Sequence, residues 1–168
     1  MPREILCAGK YCSKSSVFVC SYFPFESRYT RSVKAGVKIL KTVLFGLLGH
    51  FVQTPGQECC GLLAGRDGVI THVFPATNVA RDPARNYEID PRETVRLMRE
   101  FRQQKLEFLG IYHSHPNGKD KPSEHDIELA YYSEAIYFII AGKTEDVTSV
   151  SAFSIRDGRA ERLEIEML

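Results

Sequence analysis

Phe108-Leu-Gly-Ile-Tyr112-His113-Ser-His115-Pro-Asn-Gly-Lys-Asp-Lys-Pro-Ser123-Glu-His-Asp126 is the stretch on which the reading of this chain turns. Its first five residues are apolar or glycine and predict a buried strand. Side chains alternate along a strand, so one that runs on through His115 sends His113 and His115 to one side and Ser114 to the other. Two imidazoles side by side on a strand end can grip one metal ion. Asn117-Gly118 predicts a turn, and Pro122 closes the loop. Ser123 stands where a helix N-cap belongs, with Asp126 three residues on, so a helix is expected from about 124 to 132. In its first turn Asp126 can face back toward the histidines. Two nitrogens and a carboxylate oxygen make a zinc-type donor set, and a catalytic zinc keeps its fourth position for water. A lone His-x-His is ordinarily a strand with two polar residues, and a lone Ser-x-x-Asp only a capping box. Their union in one loop, between a buried strand and a helix start, favours the metal.

Toward the C-terminus, Ala135 to Ala141 predicts a central strand buried on both faces, and Val147 to Ile155 another. Asp157-Gly158 is a hairpin signal. Arg162 to Met167 alternates, which puts Leu163, Ile165 and Met167 in the core. Toward the N-terminus, residues 36–52 show a helical period through Val37, Leu40, Val43 or Leu44, Leu47 and Phe51, stopped by Thr54-Pro55-Gly56. A strand is expected from Cys59 to the turn at Asp67-Gly68, and its hairpin partner from Val69 to Pro75. Residues 78–85 read as a loop and 86–89 as a short strand. Asp90-Pro91-Arg92-Glu93 starts a helix with N-cap, proline at N1 and an acid at N3, running to about Gln104 and burying Val95, Leu97 or Met98, and Phe101. The layout is α/β: a mixed sheet with helices packed on it, in a single domain.

Glu58 leads into an apolar strand, where an unpaired carboxylate is costly. Locally it reads equally as an exposed loop residue after Pro55-Gly56 or as a general base beside a metal-activated water. His50 and His72 have no visible ligand partners and read as surface or edge residues. His125 lies on a different helix azimuth from Asp126. Cys59 and Cys60 are adjacent, so a strand sends them to opposite faces as packed thiols.

The chain has 168 residues, 43% apolar, with a net charge of +1. One domain with one core is expected. The charge balance argues against nucleic acid and against an anionic membrane surface. No apolar run is long enough for a membrane span, and none looks like a cleaved leader. Five cysteines suggest no disulfide framework, and reduced thiols point to the cytoplasm. Residues 1–31 lack a sustained period and read as a poorly ordered extension to a domain of residues 32–168. Cys7, Cys12 and Cys20 within them lack a fourth partner for a metal.

Glu58, His113-x-His115-Pro116, the seven residues before Ser123 and the two before Asp126 together resemble the JAMM, or MPN-plus, family of zinc metallopeptidases (the JAB domain). The likeness covers roughly residues 33 to 168. It implies a curved mixed sheet of JAB/MPN, cytidine-deaminase-like architecture. It further implies that His113, His115 and Asp126 bind Zn2+, that Glu58 holds the fourth ligand, a water, and takes its proton, and that Ser123 donates to the oxyanion. The resemblance implies hydrolysis after the C-terminal Gly-Gly of ubiquitin or a ubiquitin-like protein. Few residues separate Asp126 from Ala135, which leaves no room for the second insertion of eukaryotic deubiquitinating members. The compact size and the Pro55-Gly-Gln-Glu-Cys-Cys-Gly-Leu-Leu-Ala-Gly65 segment look more like the bacterial stand-alone branch acting on ubiquitin-like sulfur-carrier proteins. An extended carrier tail is pictured as an added strand beside the metal strand. The competing readings are a deubiquitinase-like isopeptidase, a phage-tail or cell-wall peptidase, a DNA-repair relative, and a non-catalytic scaffold of the same fold. Oligomeric state is not legible.

Overall fold

A computed structural model describes residues 36–116, 118–143 and 146–168, with side chains left aside at 143 and 146–148. Residues 1–35, with the expected extension and its three cysteines, lie outside the described residues, as does Asn117 of the expected Asn117-Gly118 turn.

The elements in order are β1 (Val37–Ile39), α1 (Lys41–Gln53), β2 (Cys60–Arg66), β3 (Val69–Ala76), α2 (Pro91–Gln104), β4 (Glu107–His115), α3 (Glu124–Glu128), β5 (Ile136–Lys143), β6 (Asp146–Arg156), β7 (Arg159–Leu163) and β8 (Ile165–Met167). The eight strands of the described residues join one mixed sheet in the order β7-β6-β5-β4-β2-β3-β1-β8. Its two outermost strands, β7 and β8, are separated in sequence by Glu164 alone. The sheet must therefore curl until its edges meet at that residue, a near-barrel that leaves little free edge. Beside that residue β1 holds β8 in place: Val37 N–H donates to Glu164 O at 2.7 Å, and Leu168 N–H to Ile39 O at 2.9 Å.

Both Asp-Gly pairs make the expected hairpins. Asp67 and Gly68 have φ of 52° and 72°, and Asp157 and Gly158 have 49° and 70°. Positive φ at both central residues matches the twist of the flanking strands.

Each face of the sheet carries a helix. Val43, Leu47 and Phe51 of α1 pack with Leu63, Tyr112, Phe138 and Ile140 on one face. Leu97 and Phe101 of α2 pack with Leu62, Ile111, Tyr137 and Ile139 on the other. Alternation along β4 puts His113 and His115 on the α2 face with Ile111, and Ser114 on the α1 face with Tyr112. Leu47 and Phe51 are almost wholly buried, each stabilising the fold by about 2–3 kcal/mol.

Five local expectations are corrected. The helix expected from 36 begins at Lys41, because residues 37–39 pair in parallel with β8, and Lys38 and Ile39 with β3 as well. Tertiary pairing there overrides the helical period. The strand expected at 86–89 is a single bridge, Ile89 to Asn78. α3 ends at Glu128 rather than near 132. The alternation from 162 to 167 is split at Glu164, where the chain leaves β6 for β1, and Met167 is 62% exposed rather than core. Val95, expected in the core, is exposed; Leu97 and Phe101 hold that face of α2.

Candidate active site

His113 and His115 emerge at the C-terminal end of β4, which lies between β2 and β5. Their Nε2 atoms stand 3.0 Å apart. Asp126 Oδ2 lies 3.5 Å from His113 Nε2 and 3.3 Å from His115 Nε2. All three residues are buried. Zn–N and Zn–O bonds of about 2.0–2.1 Å place the donor atoms of a tetrahedral site about 3.3 Å apart. The three observed separations bracket that edge, so the residues fit the ion. A carboxylate oxygen of Glu58 joins the two histidines within 4.8 Å.

α3 is short but well started. Ser123 Oγ accepts from Asp126 N at 3.1 Å, while Asp126 Oδ2 accepts from Ser123 N and from Ser123 Oγ, both at 2.7 Å. This capping box aims the Asp126 carboxylate at the histidines. It also keeps Ser123 at the rim of the cavity that Glu58 and His115 line. His115 is oriented from behind by Nδ1 at 2.7 Å from Lys119 O, the outer hydrogen bond that metal-binding histidines commonly make. The Tyr87 ring stacks on His113 at 4.2 Å and 16°.

Glu58 is only 4% exposed, and its Oε2 has no hydrogen-bond partner. It is not the exposed loop residue that half of the sequence reading allowed. Its backbone is pinned by the loop from 78 to 90: Glu58 N donates to Pro83 O at 2.7 Å, and Glu58 O accepts from Asn78 Nδ2 at 2.9 Å. Burial, helped by the Asp126 and Asp82 charges, pushes its pKa up to about 7, against the pull of His115. A carboxyl poised there exchanges protons readily at neutral pH. Burial pulls the His113 pKa down and favours the neutral, ligating imidazole. Burial works against the Asp126 carboxylate, but hydrogen bonds from His113, His115 and Ser123 outweigh it and hold it ionised, well below the usual range.

One cavity of about 370 Å³ opens on this machinery, walled by Glu58, Arg85, His115, Lys119, Lys121 and Ser123 among others. All five residues expected at the site thus meet at one place. Asp90 caps α2 as expected, accepting from Arg92 N at 2.8 Å, but Glu93 reaches Thr77 N rather than its own helix start. His125 is exposed and takes no part; His72 is exposed as expected. His50 is a correction: it is half-buried, with Nδ1 2.7 Å from the Tyr112 hydroxyl. Cys59 and Cys60 are buried free thiols. The picture of a carrier tail adding as a strand beside β4 is corrected too. Both edges of β4 are taken, with His113 paired to Cys60 on one side and Ile139 on the other.

Sequence reasoning missed Tyr87, Asn78 and the cationic wall. None has a motif: Tyr87, Asn78 and Arg85 come to the site with the segment from 78 to 90, and Lys119 and Lys121 meet them there from the segment after β4.

Residues 46–155 match the family described as prokaryotic homologs of the JAB domain, and the chain belongs to that family. It is 35% identical over 116 residues to a desampylase of Haloferax volcanii, covering 68% of this chain and 81% of that one. It is 33% identical to a probable TtuB-protein conjugate cleaving protease of Thermus thermophilus, covering 66% and 70%. It is 29% identical to a CysO-cysteine peptidase of Mycobacterium tuberculosis, covering 67% and 77%. Among solved structures, protein DSY2949 of Desulfitobacterium hafniense superposes with a TM-score of 0.69 at 29% identity, covering 78% and 92%. A JAB1/MPN domain protein of Archaeoglobus fulgidus, at 0.53 and 21% identity over 79% and 99%, shares the fold.

Proposed function

We propose that this protein is a zinc-dependent metallopeptidase that hydrolyses the peptide or isopeptide bond after the C-terminal Gly-Gly of a ubiquitin-like sulfur-carrier protein. The observation that carries the reading is the convergence of His113 Nε2, His115 Nε2 and Asp126 Oδ2 beside a buried carboxylate with an unpartnered oxygen. The relatives are named a desampylase, a probable TtuB-protein conjugate cleaving protease and a CysO-cysteine peptidase, which supports a peptidase that releases a group joined to a protein. Among the described residues no helix is long and apolar enough to cross a membrane. Free buried thiols suit a reducing cytoplasm.

His113, His115 and Asp126 would hold the ion. Zinc, when bound, supplies Lewis acidity toward the scissile carbonyl and lowers the pKa of a coordinated water to about 7. Glu58 takes the proton of the attacking water and later delivers it to the leaving amine. Ser123 turns its hydroxyl from Asp126 to the oxyanion, a donor worth about 3–4 kcal/mol in comparable sites. Tyr87 shields His113 from bulk water. No residue forms a covalent bond to the substrate.

A non-catalytic scaffold of this fold would gain nothing from an unsatisfied buried Glu58, which only destabilises it. The test is mass spectrometry of a carrier ending in Gly-Gly plus further residues, incubated with zinc-loaded protein. Release of a Gly-Gly terminus by wild type and not by Glu58→Gln supports the proposal. Intact carrier with both proteins sinks it.

A further inference from the structure

The cavity over the site has a charge pattern that hydrolysis alone does not require. Arg85, Lys119 and Lys121 line it together with Glu58, His115 and Ser123. All three cations are exposed. Lys119 and Lys121 have no ion pair among the described residues. Asp120, the acid between them, is turned away, with its carboxylate 3.1 Å from Arg162 Nη2. Arg85 approaches Asp82 only at 3.9 Å, with both side chains largely in water, a weak pair that leaves the guanidinium open to a substrate. The wall facing the catalytic groups is thus positive, although the chain as a whole carries only +1.

Glu58 fixes which half of the substrate meets this wall. It must hand its proton to the leaving amine, so the leaving group sits in the cavity that Glu58 lines together with His115 and Ser123; the other cavity that Glu58 borders, with His50, Gln57 and Glu93, includes neither of them. A second cavity of about 470 Å³, lined by Leu62, Tyr87, Ile89, Met98, Leu129 and Tyr131 among others, is mainly apolar and does not include Glu58. A lysine side chain linked through its Nε places a long alkyl stem in the cationic cavity and no charge to answer it. An amino acid or short peptide linked through its α-nitrogen brings a free α-carboxylate close to the scissile bond.

We propose that Arg85, Lys119 and Lys121 form a leaving-group subsite for a free α-carboxylate, so that the enzyme prefers carrier tails extended through the main chain to lysine-linked isopeptides. This rests on the peptidase reading above. In the reaction the Gly C–N bond breaks, the water oxygen joins the carbonyl carbon, and the carrier ends in a glycine carboxylate. The amine departs with the water's proton, relayed by Glu58, and its α-carboxylate stays paired to the cations until release. Lys119 and Lys121 are held near the reaction through the loop whose Lys119 carbonyl steadies His115. Side-chain exchange at either leaves that carbonyl in place.

The test compares three substrates of the zinc-loaded full chain: a carrier tail ending Gly-Gly-X with a free carboxylate, the same tail as its C-terminal amide, and the tail linked to lysine Nε. The free acid is expected to exceed the amide in kcat/KM by about 10- to 100-fold, the worth of a charge-assisted hydrogen bond. That ratio should shrink with added salt and collapse toward one in Arg85→Ala/Lys121→Gln. Lys121→Arg should keep most of it. Taking the ratio within each variant removes any effect of folding. In metal-free protein, amide resonances of residues 118–121 should shift on adding the free amino acid X and not its amide. Equal rates for acid and amide in wild type, or a faster lysine isopeptide, would overturn the subsite and leave the peptidase standing. Cleavage of none of the three would overturn both.

Discussion

Glu58 is a carboxyl group kept out of water without a hydrogen bond to one of its oxygens. Its pKa, raised to about 7, means that the folded state binds a proton more tightly than the unfolded chain. Sign follows directly: in metal-free protein its contribution is fully present below about pH 4.5 and is lost as pH rises through about 7. Glu58→Gln should therefore raise the melting temperature of the metal-free protein at pH 8, by the equivalent of about 2 kcal/mol, and not at pH 4. Scanning calorimetry at the two values checks it. The same substitution should cut turnover about 10²–10⁴-fold, the range for a lost general base. Ser123→Ala should lower kcat about 10²–10³-fold and cost about 1 kcal/mol of stability as a lost N-cap, readable from steady-state kinetics and urea melts. Burial pushes the Cys59 thiol up to about 11 and the Cys60 thiol up to about 12. Neither should react with a thiol reagent at pH 7.5 until denaturant is added. At this scale much was legible. His113, His115, Ser123 and Asp126 lie within one stretch of fourteen residues, from the end of β4 to the first turn of α3, and alternation plus a capping box suffices to aim them. Glu58 was ambiguous because its burial depends on Pro83 and Asn78, residues that no local pattern links to it. His50 was misread because its partner, Tyr112, is 62 positions away.

The loop between β3 and α2 does for Glu58 what the capping box does for Asp126. Asn78 binds Glu58 O and Asn86 O through Nδ2, and its Oδ1 accepts from Ala80 N and Glu88 N. Asn78→Ala frees those four contacts and lets Glu58, the proposed general base, drift. A displacement near 1 Å can cost about 10² in rate, so kcat should fall while zinc content holds. Activity and metal analysis on one preparation separate the two. Within β2, a Cβ on Gly61 would run into Phe74 O and come within 2.6 Å of the Tyr112 ring. Gly61→Ala should destabilise the fold by about 3 kcal/mol, at the high end for overpacking. Most elements were readable from period and turn chemistry. β1 was not, since three residues of parallel pairing leave no signature against a helical period. The β7–β8 break was not, because alternation persists across Glu164 while the pairing partner changes.

For the described domain the governing feature is closure: the two sheet edges meet at Glu164, and β4 is locked between β2 and β5 with the histidines at its end. The sequence pattern implied a mixed sheet, but closure is a property of long-range pairing and stayed out of reach. It also explains why the proposed substrate tail would have no free edge of β4 to pair with and would approach instead through the cavities lined by Glu58 and by Tyr87. Removing residues 165–168 would strip β8 from β1 and reopen the edge; a lower melting temperature and concentration-dependent aggregation should follow. His113, His115 and Asp126 are proposed to share one zinc beside Glu58. Zinc-edge X-ray absorption on the reconstituted protein tests it most directly. One zinc per chain surrounded by nitrogen and oxygen alone at about 2.0–2.1 Å, unchanged in Glu58→Gln and lost in His113→Ala, is the predicted result. Sulfur at about 2.3 Å, or zinc that survives His113→Ala with its surroundings intact, would contradict the account.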